Sequence, residues 1–243
     1  MSGLRDILIT RIAAQGPLTV AEYMAECLLH PTHGYYATRD PLGAAGDFTT
    51  APEISQMFGE MLGLSLAQAW LDQGAPSPFT LAECGPGRGT LMADVLRATR
   101  AVPGFHAAAQ VHLIEASDTL RAVQRDTLAR DGLIWAETVE DLPDQPLFLL
   151  ANEFFDALPV RQFQRDGDDW RERCVGLQSG ALALGLTDRQ HAPQLAHRLD
   201  DTRDGDIVET CAAGAYAMQV IGDRIAAYGG AAVIVDYGDW RSL

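Results

Sequence analysis

The sequence predicts an α/β fold, a parallel sheet with helices on both faces, preceded by an N-terminal helical extension. Three observations carry this. From residue 79 onward, short apolar runs alternate with helical patterns, the signature of strand–helix–strand units. The run at 146–151 is almost wholly apolar, as a strand buried on both faces must be. Between the first run and its helix lies Gly85-Pro86-Gly87-Arg88-Gly89, a tight turn that lets a ligand approach bare backbone at a strand end.

Residues 2–29 read as two short helices broken at Gly16-Pro17, the second capped by Thr19 with Glu22 three positions on. A loop rich in Gly, Pro and Asp covers 30–52. A helix is expected over 53–73, with Ile54, Met57, Phe58, Met61, Leu62, Leu66 and Ala69 on its apolar face. Strand one spans 79–84, followed by a helix to about Arg100. Strand two spans 110–115, with a helix near 118–130. A short strand sits at 133–136, and strand four at 146–151. Residues 160–186 alternate in polarity and carry Gly167 and Gly180, which suggests an antiparallel hairpin insertion. A polar turn at 200–206 leads to a helix near 212–228 and a last strand at 231–236.

With 243 residues, 47% of them hydrophobic, the chain fits one large domain, or one domain and a small accessory region. The net charge of −15 argues against a nucleic-acid partner, whose phosphates need a basic face. Cys27, Cys84, Cys174 and Cys211 form no CxxC pair and no metal-like cluster with histidine, so no metal is expected. His30 and His33 flank Pro31 without a third ligand and read as structural. No run of 18 apolar residues suggests a membrane span. Residues 2–15 lack the apolar core of a signal peptide, and Asp6 speaks against a transit peptide. The expected location is the bacterial cytoplasm; the oligomeric state stays open.

Four constellations could carry chemistry. The first is the glycine turn with Glu83 before it and a helix N-terminus after it, where unpaired N–H groups and the helix dipole attract anionic groups. The second is Glu115 at the end of strand two, placed to bridge two ribose hydroxyls. It follows Gly85 by 30 residues, against about 20 in dinucleotide sites. The third is Ala151-Asn152-Glu153-Phe154-Phe155-Asp156-Ala157-Leu158-Pro159 after strand four. Carboxylates there could orient a guanidinium through paired hydrogen bonds. A plainer reading makes Asn152 a helix N-cap. The fourth, Gly34-Tyr35-Tyr36 with residues 46–56, reads as a lid or as a capped helix entry.

Taken together, Tyr35-Tyr36, residues 46–56, Phe58-Gly59-Glu60, residues 83–92 and residues 152–159 resemble the MidA family of S-adenosylmethionine (SAM) methyltransferases. That family is related to a mitochondrial assembly factor that methylates an arginine in a complex I subunit. Glu115-Ala116-Ser117, Leu120-Arg121, Gln124 and Val235-Asp236-Tyr237-Gly238 fit the same pattern. The resemblance implies a class I (Rossmann-like) methyltransferase sheet, SAM as cofactor and a protein substrate presenting an arginine, in respiratory complex assembly. By motif position Glu83, Gly85, Gly87 and Gly89 would cradle SAM, and Glu115 would hold its ribose. Asn152 would join the cofactor contacts, and Gly46, Asp47 and Thr50 would close over them. Glu153 and Asp156 would grip the guanidinium. The implied organisation is an N-terminal region and lid over 1–75 and a core over 76–243. Family members continue past the Asp-Tyr-Gly strand, so a core shortened at its C-terminus is expected. Two other readings remain open at this point: a non-catalytic assembly or binding protein with a SAM-type site, and an NAD-dependent oxidoreductase. The G-x-G-x-G spacing and Glu83 speak against the latter.

Overall fold

The computed structural model describes residues 3–35 and 50–238. The described elements, in chain order, begin with α1 (Leu4–Gln15), β1 (Leu18–Thr19), α2 (Val20–Leu29), α3 (Ala51–Ile54) and α4 (Gln56–Asp72). Then come β2 (Phe79–Cys84), α5 (Thr90–Ala98), α6 (Phe105–Ala108), β3 (Ala109–Ile114), α7 (Asp118–Leu128), β4 (Ile134–Ala136) and β5 (Leu147–Asn152). The remainder are β6 (Arg161–Asp166), β7 (Asp169–Gln178), β8 (Ala181–Leu186), β9 (Ile207–Thr210), α8 (Ala212–Tyr228) and β10 (Gly230–Val235).

The chain forms two compact units, and their boundary differs from the expected split at residue 75. Residues 158–214 group with the N-terminal segment, residues 215–238 with the sheet that begins at β2. The physical reason is strand pairing across a long sequence gap: β1 adds to β7 antiparallel, Leu18 opposite Val175. The helix expected in the N-terminal region, α4, packs instead on α5 and contributes Leu66, Ala67 and Trp70 to the core of the parallel sheet.

That parallel sheet has the order β10-β5-β2-β3-β4. Successive side chains of its strands face opposite ways, and both sides are covered. Phe79, Leu81, Val111, Leu113, Phe148 and Leu150 pack with α4, α5 and α6. Ala82, Cys84, Ile114, Leu149 and Ala151 pack with Ile221 of α8. The expected α/β architecture with helices on both faces is therefore present. The single helix expected over 53–73 is two, because Ser55 is extended (φ −151°, ψ 124°) and its hydroxyl caps α4 by accepting from the Met57 N–H at 3.3 Å.

The other unit is an antiparallel sheet, β1-β7-β6-β9, with β8 on β7. The expected hairpin is its centre, and β1 and β9 were not foreseen. Thr19 and Glu22 form the expected capping box, with the Glu22 N–H donating to Thr19 Oγ1 at 3.1 Å and the Thr19 N–H to Glu22 Oε2 at 2.9 Å. Phe163, Trp170, Leu195 and Val208 make one small core, and Leu8, Ile12, Leu18 and Val175 another.

The α4–α5 crossing is closely packed. A Cβ on Gly59 would stand 2.6 Å from Asp94 Cβ, and one on Gly63 would stand 2.8 Å from Val95 Cα. Backbone cannot yield as a flexible side chain can. Gly63→Ala should therefore lower unfolding stability by about 1–3 kcal/mol through overpacking, despite a helix-propensity gain of about 1 kcal/mol. Urea denaturation checks this; a stabilised variant would contradict the close approach.

Candidate functional site

Strand order reverses at β2, which has β3 on one side and β5 on the other, all parallel. The loops leaving β2 and β5 therefore emerge side by side at the C-terminal edge, where open α/β sheets bind ligands. The first loop is the glycine turn. Gly85, Gly87 and Gly89 have φ of +61°, +53° and +86°, a region side chains avoid. The Gly85 N–H donates to Ile114 O at 3.0 Å and the Gly89 N–H to Pro86 O at 2.7 Å, fixing the turn. Gly89 is the N-cap of α5 and has no side chain to offer, so it caps no first-turn N–H; of that turn, the Met92 N–H is taken by Glu83.

The two loops touch. A Cβ on Gly85 would lie 2.9 Å from Phe154 Cδ2, so the ring from the β5 loop lies against bare glycine backbone. Glu83 sits beneath this turn, 3% exposed. It hydrogen-bonds the Met92 backbone, while its Oε2 has no partner among the described residues. Burial pushes its carboxyl up to about 8, opposed by the Met92 bond. The structure thus places Glu83 as a support tying β2 to α5. Burial likewise raises the Cys84 thiol to about 12, which leaves it inert.

Glu115 follows β3 and is half-buried. Its Oε1 accepts from the Ser117 N–H at 2.8 Å and its Oε2 from Gln124 Nε2 at 3.2 Å. Gln124 also donates to Gly87 O at 2.8 Å and accepts from Trp135 Nε1 at 2.8 Å. One buried amide thus joins Glu115 to the glycine turn. Burial raises the Glu115 carboxyl, against the Ser117 and Gln124 bonds. Each of its oxygens keeps acceptor capacity for a further donor such as a hydroxyl.

The β5 loop departs from the N-cap reading: Asn152 ends β5, and no helix follows in 153–160. Asn152 Oδ1 is buried without a partner among the described residues, and its Nδ2 donates to Glu153 Oε1 at 3.3 Å. Glu153 is left-handed at φ +52°, held there by its N–H on Val235 O at 2.8 Å. Asp236, just past β10, accepts the Phe155 and Asp156 N–H groups on Oδ2 at 3.1 and 3.0 Å. The Asp156 carboxyl is raised by burial and by the charges of Asp236 and Glu153. Tyr237 hydrogen-bonds Glu153, whose charge raises the phenol. Three carboxylates thus converge, and among the described residues none forms an ion pair with arginine.

Thr50 stands at the N-cap position of α3 without a side-chain cap bond. Glu53 of that helix accepts from the Thr90 hydroxyl at 2.6 Å, joining α3 to the start of α5 beside the glycine turn. Gly46 and Asp47 lie outside the described residues. Sequence reasoning did not single out Phe154, Asp236 or Tyr237 as site residues. Asp236 had a usable signal, an acid ending an apolar strand, the same signal that picked out Glu115.

Residues 61–243 match a family model described as a putative S-adenosyl-L-methionine-dependent methyltransferase. The chain is 40% identical over 261 residues to the zebrafish (Danio rerio) "Protein arginine methyltransferase NDUFAF7, mitochondrial", covering 95% of this chain and 61% of that protein. The human protein of that name is 38% identical over 258 residues, with 95% and 58% covered. The chain thus spans about three fifths of the length of these relatives. A likely methyl transferase from Burkholderia thailandensis, crystallised with S-adenosyl-homocysteine, superposes with a TM-score of 0.78 at 29% identity, over 97% of this chain and 62% of that one.

The buried Glu83 gives a pH signature. Its folded pKa lies above the unfolded value of 4.5, so the unfolded chain binds fewer protons between about 4.5 and 8 and stability falls as pH rises through that window. Glu83→Gln should flatten this slope and exceed the unsubstituted chain at pH 8 by at least about 1 kcal/mol. Urea unfolding at pH 5, 6.5 and 8 reads it; parallel slopes would mean that Glu83 is ionised in the fold.

Proposed function

The chain belongs to a family of putative S-adenosyl-L-methionine-dependent methyltransferases, and from that premise we propose that it methylates an arginine side chain of a partner protein. The observation that carries the acceptor is the convergence of Glu153, Asp156 and Asp236 beside the glycine turn. A cluster of negative charge with a raised carboxyl suits a cation that must give up a proton.

The residues present fit SAM. The positive-φ turn at Gly85, Gly87 and Gly89 leaves room for its methionine end, and Glu115 retains acceptor capacity for its ribose. The unpartnered Asn152 Oδ1 awaits a donor at the end of β5. When bound, the cofactor supplies a methyl group already activated on a sulfonium centre. Glu153 and Asp156 then orient the guanidinium by charge-assisted hydrogen bonds. A guanidinium stays protonated up to a pKa above about 12, so the proton leaves only as the new N–C bond forms. Asp156, with its raised carboxyl, takes that proton at a carboxylate oxygen. Asp236 holds Asp156 in place through the backbone. Orientation of this kind lowers the barrier by holding donor and acceptor in line.

The names of the relatives support a protein arginine acceptor, and the resemblance in sequence favours a role in respiratory complex assembly. Four free cysteines suit a reducing cytoplasm, and no described helix is long and apolar enough to cross a membrane.

Incubating the chain with labelled SAM and a cell lysate, then hydrolysing the protein, should yield labelled methylarginine. Asp156→Asn should cut this at least tenfold, and S-adenosylhomocysteine affinity should stay within about twofold. Label in another amino acid, or full turnover in the variant, would contradict the assignment.

A further inference from the structure

The far end of α5 holds a second concavity. A helix of nine residues carries the chain about 14 Å from the glycine turn, toward the N-terminal edge of the sheet. There a cavity of about 490 Å³ opens between the C-terminal ends of α5 and α7, lined by Leu96, Arg97, Arg100, His106, Leu128 and Arg130 among others. Arg97 is neutralised by Glu60 at 2.9 Å and Asp94 at 2.7 Å. Arg100 and Arg130 have no carboxylate partner among the described residues.

His106 reports the local field. Its Nε2 lies 3.0 Å from Thr99 Oγ1, whose own proton goes to Val95 O at 2.8 Å. The other ring nitrogen, Nδ1, lies 3.4 Å from Arg130 Nη1, a contact that suits an unprotonated Nδ1 accepting from the guanidinium. Burial, then Arg130 and Arg100, lower the ring's pKa, opposed by its bond to the Leu96 backbone. Helix-end carbonyls account for part of this clustering, yet each end carries only about half a charge against two full guanidinium charges. A positive concavity stands out in a chain of net charge −15.

We propose that this cavity binds a small phosphate monoester, its phosphate held by Arg100 and Arg130 and its organic part resting on Leu96 and Leu128. Guanidinium groups match phosphate oxygens in planar paired hydrogen bonds. The apolar side chains beside the charges favour an ester over the bare ion.

The test is proton NMR of the full chain, following the His106 ring, assigned with His106→Gln, during titration with glycerol 3-phosphate, inorganic phosphate and sodium chloride at matched ionic strength. The expected result is a saturable shift with both phosphates, tighter for the ester, and none with chloride. Arg100→Gln combined with Arg130→Gln should weaken it at least tenfold while S-adenosylhomocysteine still binds, which shows a folded chain and a separate site. A shift that follows ionic strength alone, or equal affinity in the double variant, would overturn the proposal.

Discussion

The pairing of β5 with β2, on the side opposite β3, is the constraint from which the site follows. Cys84 at the end of β2 stands level with Ile114 of β3 and with Ala151 of β5. Had β5 joined the sheet beyond β4, its loop would emerge about three strand spacings away, some 15 Å from the glycine turn. The near-continuous apolar sequence of β5 pays for this placement, because a central parallel strand is covered on both faces. β10 then lies beside β5, so Asp236 reaches the β5 loop from a strand 80 residues further along the chain.

Two contacts turn adjacency into one site. Phe154 lies against Gly85, and Gln124 joins Gly87 to Glu115. Each links separate loops at a point where a substitution would be felt in both. Environment also divides the acids. Glu83, shut beneath the turn, has its carboxyl raised by burial and bonds the Met92 backbone. Glu153, Asp156 and Asp236 stand closer to solvent, where mutual repulsion can be relieved by a cation. The same side-chain chemistry thus meets two environments, one closed to solvent and one open to it.

Much of this was readable from the sequence. Alternating apolar runs and helical patterns gave the parallel sheet, and Thr19 with Glu22 marked a helix start that the structure contains. Glycines at 85, 87 and 89 marked the turn because only they take its backbone angles cheaply. What local pattern could not show was pairing at a distance. Leu18 opposite Val175 decides that the N-terminal segment groups with residues 158–214, yet a two-residue strand has no period to detect. Asn152 looked like a helix cap because residue type alone does not reveal that Glu153 turns left-handed and the chain runs on without a helix. Ser55 looked helical within an amphipathic run, and its hydroxyl instead starts α4.

The central claim is that the glycine turn between β2 and α5 is a SAM-type cofactor site. Calorimetric titration of the chain with S-adenosylhomocysteine, beside a folded Gly87→Val variant, tests it most directly. Micromolar binding, weakened at least tenfold in the variant, is the expected result, since a branched side chain cannot take the positive φ at that position cheaply. No binding to the folded chain, or equal binding by the variant, would contradict it.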